Sequence, residues 1–359
     1  MKKNHISVFA LPSHTDDKRI SGVDFIRIIQ PMQHLGKQEG FEVEIFDAKE
    51  KTPTHWSHIT EQFDIIYFNY LTHDWGYAAM GMLARKHDVK IVMDLDDNLW
   101  SILPDNSAYQ TFKKGSKGLH VVTSIINDVD KVTCTNLYLK NAIVNNTYKR
   151  HEFVKVFPNY IDLDLYKYRL PFREMPDIVI GHFGSTTHFT SLQNEAFAEA
   201  MDKLMYEYPN IKFRTIGSFF GEYKRRWGAR YEYAFGDVDV LEWIKKMPNF
   251  LNEIDIIVAP LTDNLYNRAK SSCKYLETSS FIKPGVWEKI RQYETEIDDG
   301  IDGFLASTKE EWYEKLKLLI DNKNLRKTMG ENAFEKVKKY HQIQDHIQEY
   351  ADFFKQILD

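Results

Sequence analysis

Residues 254–281 read IDIIVAPLTDNLYNRAKSSCKYLETSSF, and this stretch decides the fold. The apolar run IDIIVAPL (254–261) is typical of a buried strand, so the polar residues after it leave the sheet at the strand's carboxyl end. If those residues form a helix, Lys270, Lys274 and Glu277 lie on one face, because positions i, i+4 and i+7 stack. Ligands of parallel sheets bind outside the carboxyl ends of the strands. We therefore expect a ligand site here, with a solvated Lys/Glu helix face as the alternative.

Short apolar runs alternate with amphipathic stretches along the chain, which indicates parallel sheets covered by helices. The other runs are HISVFAL (5–11), EVEIFD (42–47), DIIYFNYL (64–71), KIVMDL (90–95), KVTCTN (131–136), VKVFPN (154–159), DIVIGHFG (177–184), IKFRTIGS (211–218), RYEYAFG (230–236) and DGFLAS (302–307). Between the halves, residues 157–177 contain three prolines and suggest a linker. The prediction is an α/β protein of two facing, doubly wound, Rossmann-like domains, residues 1–165 and 166–341. A final helix, 342–359, is expected to pack back on the first domain.

The composition fits an ordinary globular protein. A chain of 359 residues exceeds what one hydrophobic core usually serves, and the net charge of −5 argues against a cationic nucleic-acid coat. Two cysteines, Cys134 and Cys273, make neither a disulfide framework nor a zinc site and suit a reducing cytoplasm. No apolar run approaches the roughly 20 residues of a membrane span. We expect a cytoplasmic protein without membrane insertion, and the oligomeric state stays open.

The loop after the first strand of the second half also has ligand-binding character. It reads IGHFGSTTHFTSL (180–192). Gly184 allows a tight turn, and Ser185, Thr186 and Thr187 add hydroxyls beside the free N–H groups of a helix start, an arrangement that binds phosphate. The alternative is an ordinary strand–helix turn with a Ser/Thr cap.

Taken together, these stretches resemble the glycosyltransferases of the GT-B fold, in particular family 4-type enzymes and the divergent forms encoded by phages. The resemblance rests on the order and spacing of several motifs and covers nearly the whole chain. The motifs are SGVDFIRIIQPMQHL (21–35), VFPNYID (156–162), IGHFGSTTHFTSL (180–192), APLTDNLYNRAKSSCKYLE (259–277) and the C-terminal module at 298–341.

The resemblance implies a nucleotide-sugar donor, with a UDP-sugar as the expectation, and a set of donor ligands. Glu277 would bind the ribose, and Lys274 would meet the diphosphate together with Lys270 or Arg268. The complete donor-binding set is Gly22, Gly184, Ser185, Thr186, Thr187, Arg268, Lys270, Ser271, Lys274 and Glu277. Many retaining relatives have a second glutamate where this chain has Ala269, so the stereochemical outcome does not carry over. Because the lysines and a helix N-terminus replace the charge of a metal, we expect no metal and no obligatory cofactor.

The acidic stretch MDLDDNLW (93–100) has three interpretations. An Asp-x-Asp can bind the metal of a GT-A glycosyltransferase. Asp94 and Asp96 can be the nucleophile and acid of a haloacid-dehalogenase-type, Mg²⁺-dependent phosphatase, which is the alternative function of another class. In a GT-B enzyme, one of Asp94, Asp96 and Asp97 would be the catalytic base or an acceptor ligand, and capping of the turn is the structural alternative. We predict the catalytic role and do not separate the three.

A basic and aromatic segment, GEYKRRWGARYEY (221–233), is the candidate acceptor-binding region. Its predicted acceptor ligands are Lys224, Arg225, Arg226, Trp227 and Arg230, since cations and rings suit phosphate contact and base stacking. The alternatives are donor phosphate binding and an exposed loop. One candidate acceptor is a 5-hydroxymethylated base of double-stranded phage DNA in the host cytoplasm, which would have to be flipped out. A surface polysaccharide or a small molecule is the alternative.

Overall fold

The computed structural model describes residues 5–12, 20–46, 56–70, 74–166, 176–184, 192–217, 219–234 and 240–359. By their contacts the residues form two compact units. Unit 1 comprises Met1–Asp162, Ala269–Ser271 and Ile343–Asp359, and unit 2 comprises Leu163–Arg268 and Ser272–Gln342. The first boundary lies three residues before the position expected from the sequence.

Unit 1 is built on a six-stranded parallel sheet in the order β2-β1-β3-β4-β5-β6. Its strands are β1 (Ile6–Leu11), β2 (Phe41–Ile45), β3 (Ile65–Asn69), β4 (Lys90–Leu95), β5 (Lys131–Cys134) and β6 (Val154–Val156). Its helices are α1 (Gly22–Asp24), α2 (Gln30–Leu35), α3 (Trp56–Gln62), α4 (Asp74–His87), α5 (Tyr109–Phe112), α6 (Lys117–Asp128) and α7 (Leu137–Asn146), with a π-helical turn, Phe25–Ile29, between α1 and α2. The central strand β3 is buried along its whole length, which is why it has a continuous apolar sequence.

Unit 2 has a second six-stranded parallel sheet, in the order β12-β11-β10-β7-β8-β9. Its strands are β7 (Ile178–Phe183), β8 (Ile211–Ile216), β9 (Tyr231–Ala234), β10 (Ile256–Ala259), β11 (Gly285–Glu288) and β12 (Phe304–Ala306). Its helices are α8 (Glu195–Glu207), α9 (Gly221–Trp227), α10 (Val240–Leu251), α11 (Cys273–Ser279), α12 (Arg291–Glu294), α13 (Lys309–Asp321) and α14 (Lys323–Tyr340). This order is that of a Rossmann fold, because the sheet grows outward in both directions from the β7–β10 pair.

The last helix, α15 (Ile343–Leu358), belongs to unit 1. Its apolar face joins the core formed by β1, β3 and α2. The ring of Tyr350 stacks on Phe157 with centroids 4.0 Å apart, and Phe354 meets Tyr67 edge to face at 5.6 Å. Phe157 is fully buried, so the first residues of the predicted 157–177 linker are part of this core; residues 167–175 lie outside the described part of the chain.

The predicted α/β class and doubly wound architecture are confirmed by the two sheets. None of the helices in the described ranges combines the length and the apolar character that a membrane crossing requires.

Candidate functional site

The strand order of unit 2 reverses between β7 and β10. The loops that leave the two strands diverge at such a point and open a crevice for ligands. Gly184 directly follows β7, and its N–H donates to the carbonyl of Ile216 at 3.1 Å. Ser185, Thr186 and Thr187 of the same loop lie outside the described residues. Gly184 is therefore placed at the crevice, and the role of the three hydroxyls stays a prediction.

Helix α11 follows the loop after β10 and carries Lys274 and Glu277. The two residues are three positions apart, so they share one face of the helix. Burial raises the pKa of Glu277 to about 7, and the charge of Lys274 opposes this rise. The carboxylate is thus poorly solvated near neutral pH, and hydroxyl donors of a ligand would stabilise its charged form. This pair can bind a diol through the carboxylate and a phosphate through the ammonium group.

A histidine that the sequence analysis did not single out lies beside this pair. His182 of β7 is buried, and its Nδ1 lies 2.9 Å from the carbonyl oxygen of Val258, to which it must donate. Burial and the nearby charge of Lys274 lower the pKa of His182 to about 3. The imidazole is therefore neutral at physiological pH. Because the charge of Lys274 affects His182, the ammonium group of Lys274 lies near strand β7.

The predicted helical face of Lys270, Lys274 and Glu277 is wrong for its first member. Helix α11 begins only at Cys273, and Lys270 lies in the irregular segment between that helix and a 3-10 turn at Asn267–Ala269. Its Nζ lies 3.4 Å from Oδ1 of Asp97, within unit 1. The hydroxyls of both serines before the helix have partners outside it: Ser271 accepts from Asn159, and Ser272 donates to Glu296 at 3.2 Å.

Two asparagines of unit 1 fix the segment Ala269–Ser271. Nδ2 of Asn136 donates to the carbonyl oxygen of Ala269 at 2.8 Å, and its Oδ1 caps helix α7 by accepting from Leu139 N–H. Nδ2 of Asn159 donates to the Ser271 hydroxyl at 2.8 Å. The segment thus has a defined path, and the Ser271 hydroxyl, which accepts from Asn159, keeps its own proton for the predicted contact with the donor phosphate.

Arg268 likewise has a protein partner. Its Nε and Nη2 donate to the two carboxylate oxygens of Asp263 at 2.5 and 2.6 Å. Both side chains are about half exposed, so a bound phosphate would have to compete with this pair.

In unit 1, Asp94 is the counter-ion of a buried arginine. Its oxygens accept from Nε and Nη2 of Arg27 at 3.0 and 2.7 Å, and Oδ1 also accepts from the Thr133 hydroxyl at 2.5 Å. Arg27 completes its set of acceptors with the carbonyl of Phe157 and Oδ1 of Asn159. Neither Asp94 nor Arg27 is more than 1% exposed, so Asp94 is unsuited to the predicted roles of base, metal ligand or phosphatase nucleophile.

Asp96 and Asp97 lie past the end of β4 and differ from Asp94. Burial raises the pKa of Asp96 well above its usual value, and the charges of Asp97 and Asp94 add to the effect. A carboxylate of this kind suits a general base, because its affinity for a proton is increased. Burial raises the pKa of Tyr70, and the charges of Asp96, Asp97 and Asp24 add to this rise, so these groups lie near one another.

Gly22 lies in unit 1, and its role as a donor ligand stays a prediction. It opens α1, where the hydroxyl of Ser21 accepts from Asp24 N–H at 3.0 Å. A Cβ at Gly22 would meet no atom within 4 Å, which leaves its backbone accessible to a ligand.

The predicted acceptor segment is mainly a structural part of unit 2, which corrects its interpretation as a nucleic-acid surface. Trp227 is 7% exposed, stacks on Tyr223 at 4.4 Å and donates through Nε1 to Asp202 at 2.8 Å. Arg226 pairs with Asp202 and Glu222. The rings at positions 223 and 227 are spaced i, i+4, which is typical of the buried face of a helix. The prediction of an exposed, ligand-binding segment did not take this spacing into account.

The other cations of this segment divide in the same way. Arg230 donates to the carbonyls of Met205 and Tyr208 at 2.7 and 3.0 Å, and Lys224 lies 3.4 Å from the carbonyl of Tyr231. Arg225 is exposed. Of the five predicted acceptor ligands, four therefore have structural partners within unit 2.

Two Rossmann-like units, each built on a six-stranded parallel sheet, are the architecture of the GT-B fold. Residues 193–352 match the family described as "Glycosyl transferase-like". No curated protein sequence matches the chain significantly. The fold is therefore that of the GT-B glycosyltransferases, and residues 193–352 are similar to a glycosyltransferase domain.

Solved structures share this fold over nearly the whole chain. HepE from Anabaena, in complex with UDP and glucose, has a TM-score of 0.67 and 15% identity, covering 97% of this chain and 99% of that one. A glycosyltransferase from Rickettsia africae has a TM-score of 0.68 and 13% identity, covering 99% of each chain. Sucrose-phosphate synthase from Thermosynechococcus elongatus has a TM-score of 0.67 and 13% identity, covering 98% and 99%.

Proposed function

We propose that the enzyme transfers a sugar from a UDP-sugar to a hydroxyl acceptor. The observation that carries the proposal is the pair Lys274 and Glu277 on one face of α11, beside the switch point of unit 2. The structures of HepE with UDP and with UDP-glucose, on the same fold, support this choice of donor.

In this proposal each donor group has a matched ligand. The ribose hydroxyls donate to the Glu277 carboxylate, whose raised pKa shows that its charge needs partners. The ammonium group of Lys274 offsets the negative charge of the diphosphate. When the bond between the sugar and the phosphate oxygen breaks, its electron pair stays on the departing UDP, and the same positive charge stabilises that product. In this proposal the ammonium group takes the part that a metal ion has in other sugar transferases.

The proton acceptor in the proposal is a carboxylate that follows β4. Asp96 is the preferred base, because Asp94 is the counter-ion of Arg27 and Asp97 interacts with Lys270. As the acceptor oxygen bonds to the sugar, its proton passes to the Asp96 carboxylate.

Thermal unfolding in the presence of different nucleotide-sugars tests the donor. A ligand at 100 times its Kd stabilises the folded state by about 2.7 kcal/mol, so the true donor raises the unfolding temperature by several degrees. We expect this shift with UDP and UDP-sugars and none with GDP- or ADP-sugars at the same concentration. Absence of a shift with every UDP compound, together with no release of UDP, would overturn the proposal.

Exchange of the acidic residues for their amides tests the base. Asp96→Asn is expected to lower the transfer rate by about 10²–10⁴-fold, the usual contribution of a general base, without changing donor affinity. Asp97→Asn should have a smaller effect, because it removes a charge that pairs with Lys270. Rates are measured with saturating donor and an acceptor identified from trials with the active enzyme. A wild-type rate for Asp96→Asn would remove Asp96 from the mechanism.

The nature of the acceptor is proposed only as a hydroxyl group. The hypothesis of a 5-hydroxymethylated base in double-stranded phage DNA rested on Lys224–Arg230, most of whose predicted ligands have structural partners. A hydroxyl group of a surface polysaccharide or of a small molecule is an alternative acceptor that does not depend on Lys224–Arg230. The phosphatase alternative has no support, because its nucleophile would be the buried Asp94.

A further inference from the structure

We propose that Glu288 is a positioning residue that joins the loop after β10 to the start of α8 in unit 2. The inference rests on the proposed function, because the loop after β10 leads to Lys274 and Glu277, the proposed donor ligands. Glu288 is the last residue of β11, the strand next to β10, and its side chain is 5% exposed. It therefore lies at the same carboxyl edge of the sheet as the ends of β7 and β10.

One oxygen of Glu288 accepts hydrogen bonds both from the loop after β10 and from the residue that caps α8. Oε2 accepts from the backbone N–H of Leu261, in the loop after β10, at 3.2 Å. The same oxygen accepts from Nδ2 of Asn194 at 2.9 Å. Asn194 directly precedes α8, and its Oδ1 caps that helix by accepting from Phe197 N–H.

A third hydrogen bond closes the arrangement into a triangle. Nδ2 of Asn194 also donates to the carbonyl oxygen of Leu261 at 3.1 Å. The amide and the carbonyl of Leu261 are thus both held, one by Glu288 and the other by Asn194. Because the polypeptide continues from Leu261 through Arg268 to Lys274, the triangle sets where the phosphate- and ribose-binding residues begin.

The shifted pKa of Glu288 agrees with a buried position beside the proposed donor ligands. Burial and the charges of Asp263 and Glu311 raise the pKa of Glu288 to about 8. Burial raises the pKa of Tyr293, and the charges of Cys273, Glu277 and Glu288 add to this rise, so both glutamates act on one tyrosine. Burial of a carboxyl group costs free energy unless the group is hydrogen-bonded. The hydrogen bonds from Leu261 and Asn194 offset this cost at Glu288.

Two substitutions at this position separate positioning from charge. Glu288→Ala removes the acceptor, and we expect UDP-sugar affinity to fall by about tenfold or more, with KM rising more than kcat falls. Glu288→Gln keeps a carbonyl oxygen where Oε2 lies and can accept both hydrogen bonds, so affinity should stay within about threefold of wild type. Glu294→Ala, an exposed glutamate of α12, is the matched control and should leave affinity unchanged.

Hydrogen exchange gives a readout that is independent of activity. The Leu261 amide should lose protection in Glu288→Ala and keep it in Glu288→Gln. If Glu288→Ala does not fold, Asn194→Ser provides the test, because serine retains the helix cap but is too short to bridge Leu261 and Glu288.

The outcomes distinguish the two proposals. If the wild type binds no UDP-sugar, the proposed function fails. If the wild type binds a UDP-sugar and Glu288→Ala or, where that variant does not fold, Asn194→Ser binds it equally well, the positioning role fails. Equal losses in Glu288→Ala and Glu288→Gln would show that the charge matters and would also overturn the role proposed here.

Discussion

Replacing Glu277 with alanine is expected to abolish sugar transfer and to leave the fold intact. The change removes an acceptor for the two ribose hydroxyls, and hydrogen bonds to a charged group contribute about 1.5–3 kcal/mol each. Together they correspond to a loss of about 10²–10⁴-fold in kcat/KM. The measurement is the rate of UDP release at low donor concentration, with the unfolding temperature as the test of folding. Glu335→Ala, an exposed glutamate of α14, is the control.

The pH dependence of the same residue gives a second readout. The pKa of Glu277 is raised to about 7, so its ionisation in the folded protein opposes stability as the pH rises towards and through 7. Compared with Glu277→Gln, the wild type should therefore lose stability between pH 4.5 and 8. A donor that hydrogen-bonds to the carboxylate favours the ionised form, so donor affinity should rise with pH across 7 in the wild type and stay flat in Glu277→Gln. A flat wild-type profile would contradict the ribose assignment.

Replacing Arg27 with methionine is expected to destabilise unit 1 by about 3–5 kcal/mol, because it leaves the fully buried Asp94 without its counter-ion. This is a large part of the 5–15 kcal/mol that is typical of a domain. Unfolding of unit 1 can be followed by thiol labelling of the buried Cys134, in a Cys273→Ser background and with increasing urea. Cys134 pairs in the sheet with Leu95, next to Asp94, so it reports on the right region.

Two further variants control this prediction. Arg27→Met combined with Asp94→Leu removes both charges, and it should recover most of the lost stability, because a buried ion pair can be exchanged for apolar groups at little net cost. Arg85→Met breaks the exposed pair with Asp128 and should change stability by less than about 1 kcal/mol. An Arg27→Met protein whose Cys134 is labelled at the wild-type urea concentration would show that the pair is not structurally important.

The architecture followed from the sequence because the signals are local. Each buried strand has its own apolar run, as in DIIYFNYL for β3, and alternation with amphipathic stretches requires parallel sheets. The Lys274 and Glu277 pair was predictable for the same reason, since both residues lie on one short helix. Lys270 was not, because the exact start of a helix depends on capping in three dimensions.

The roles of the acidic and basic residues depended on partners far away in the sequence. Asp94, Asp96 and Asp97 look alike within one tetrapeptide, and only Arg27, 67 residues earlier, separates Asp94 from the others. In the same way, Trp227 finds its partner Asp202 on another helix. Glu288 was missed because one glutamate after a short apolar run has no sequence signal of its own; its importance comes from Asn194 and Leu261.

The position of α15 has a consequence for how the protein is made. Unit 1 begins the chain, yet its core is completed by Tyr350 and Phe354, which are synthesised after all of unit 2. Domains generally fold in the order in which they leave the ribosome. In this protein the order of completion is reversed. All residues of unit 2 are synthesised before α15, whereas Phe157 of unit 1 can stack on Tyr350 only after α15 has been made. A chain that is truncated before residue 343 therefore contains all residues of unit 2 but lacks the helix that completes the core of unit 1.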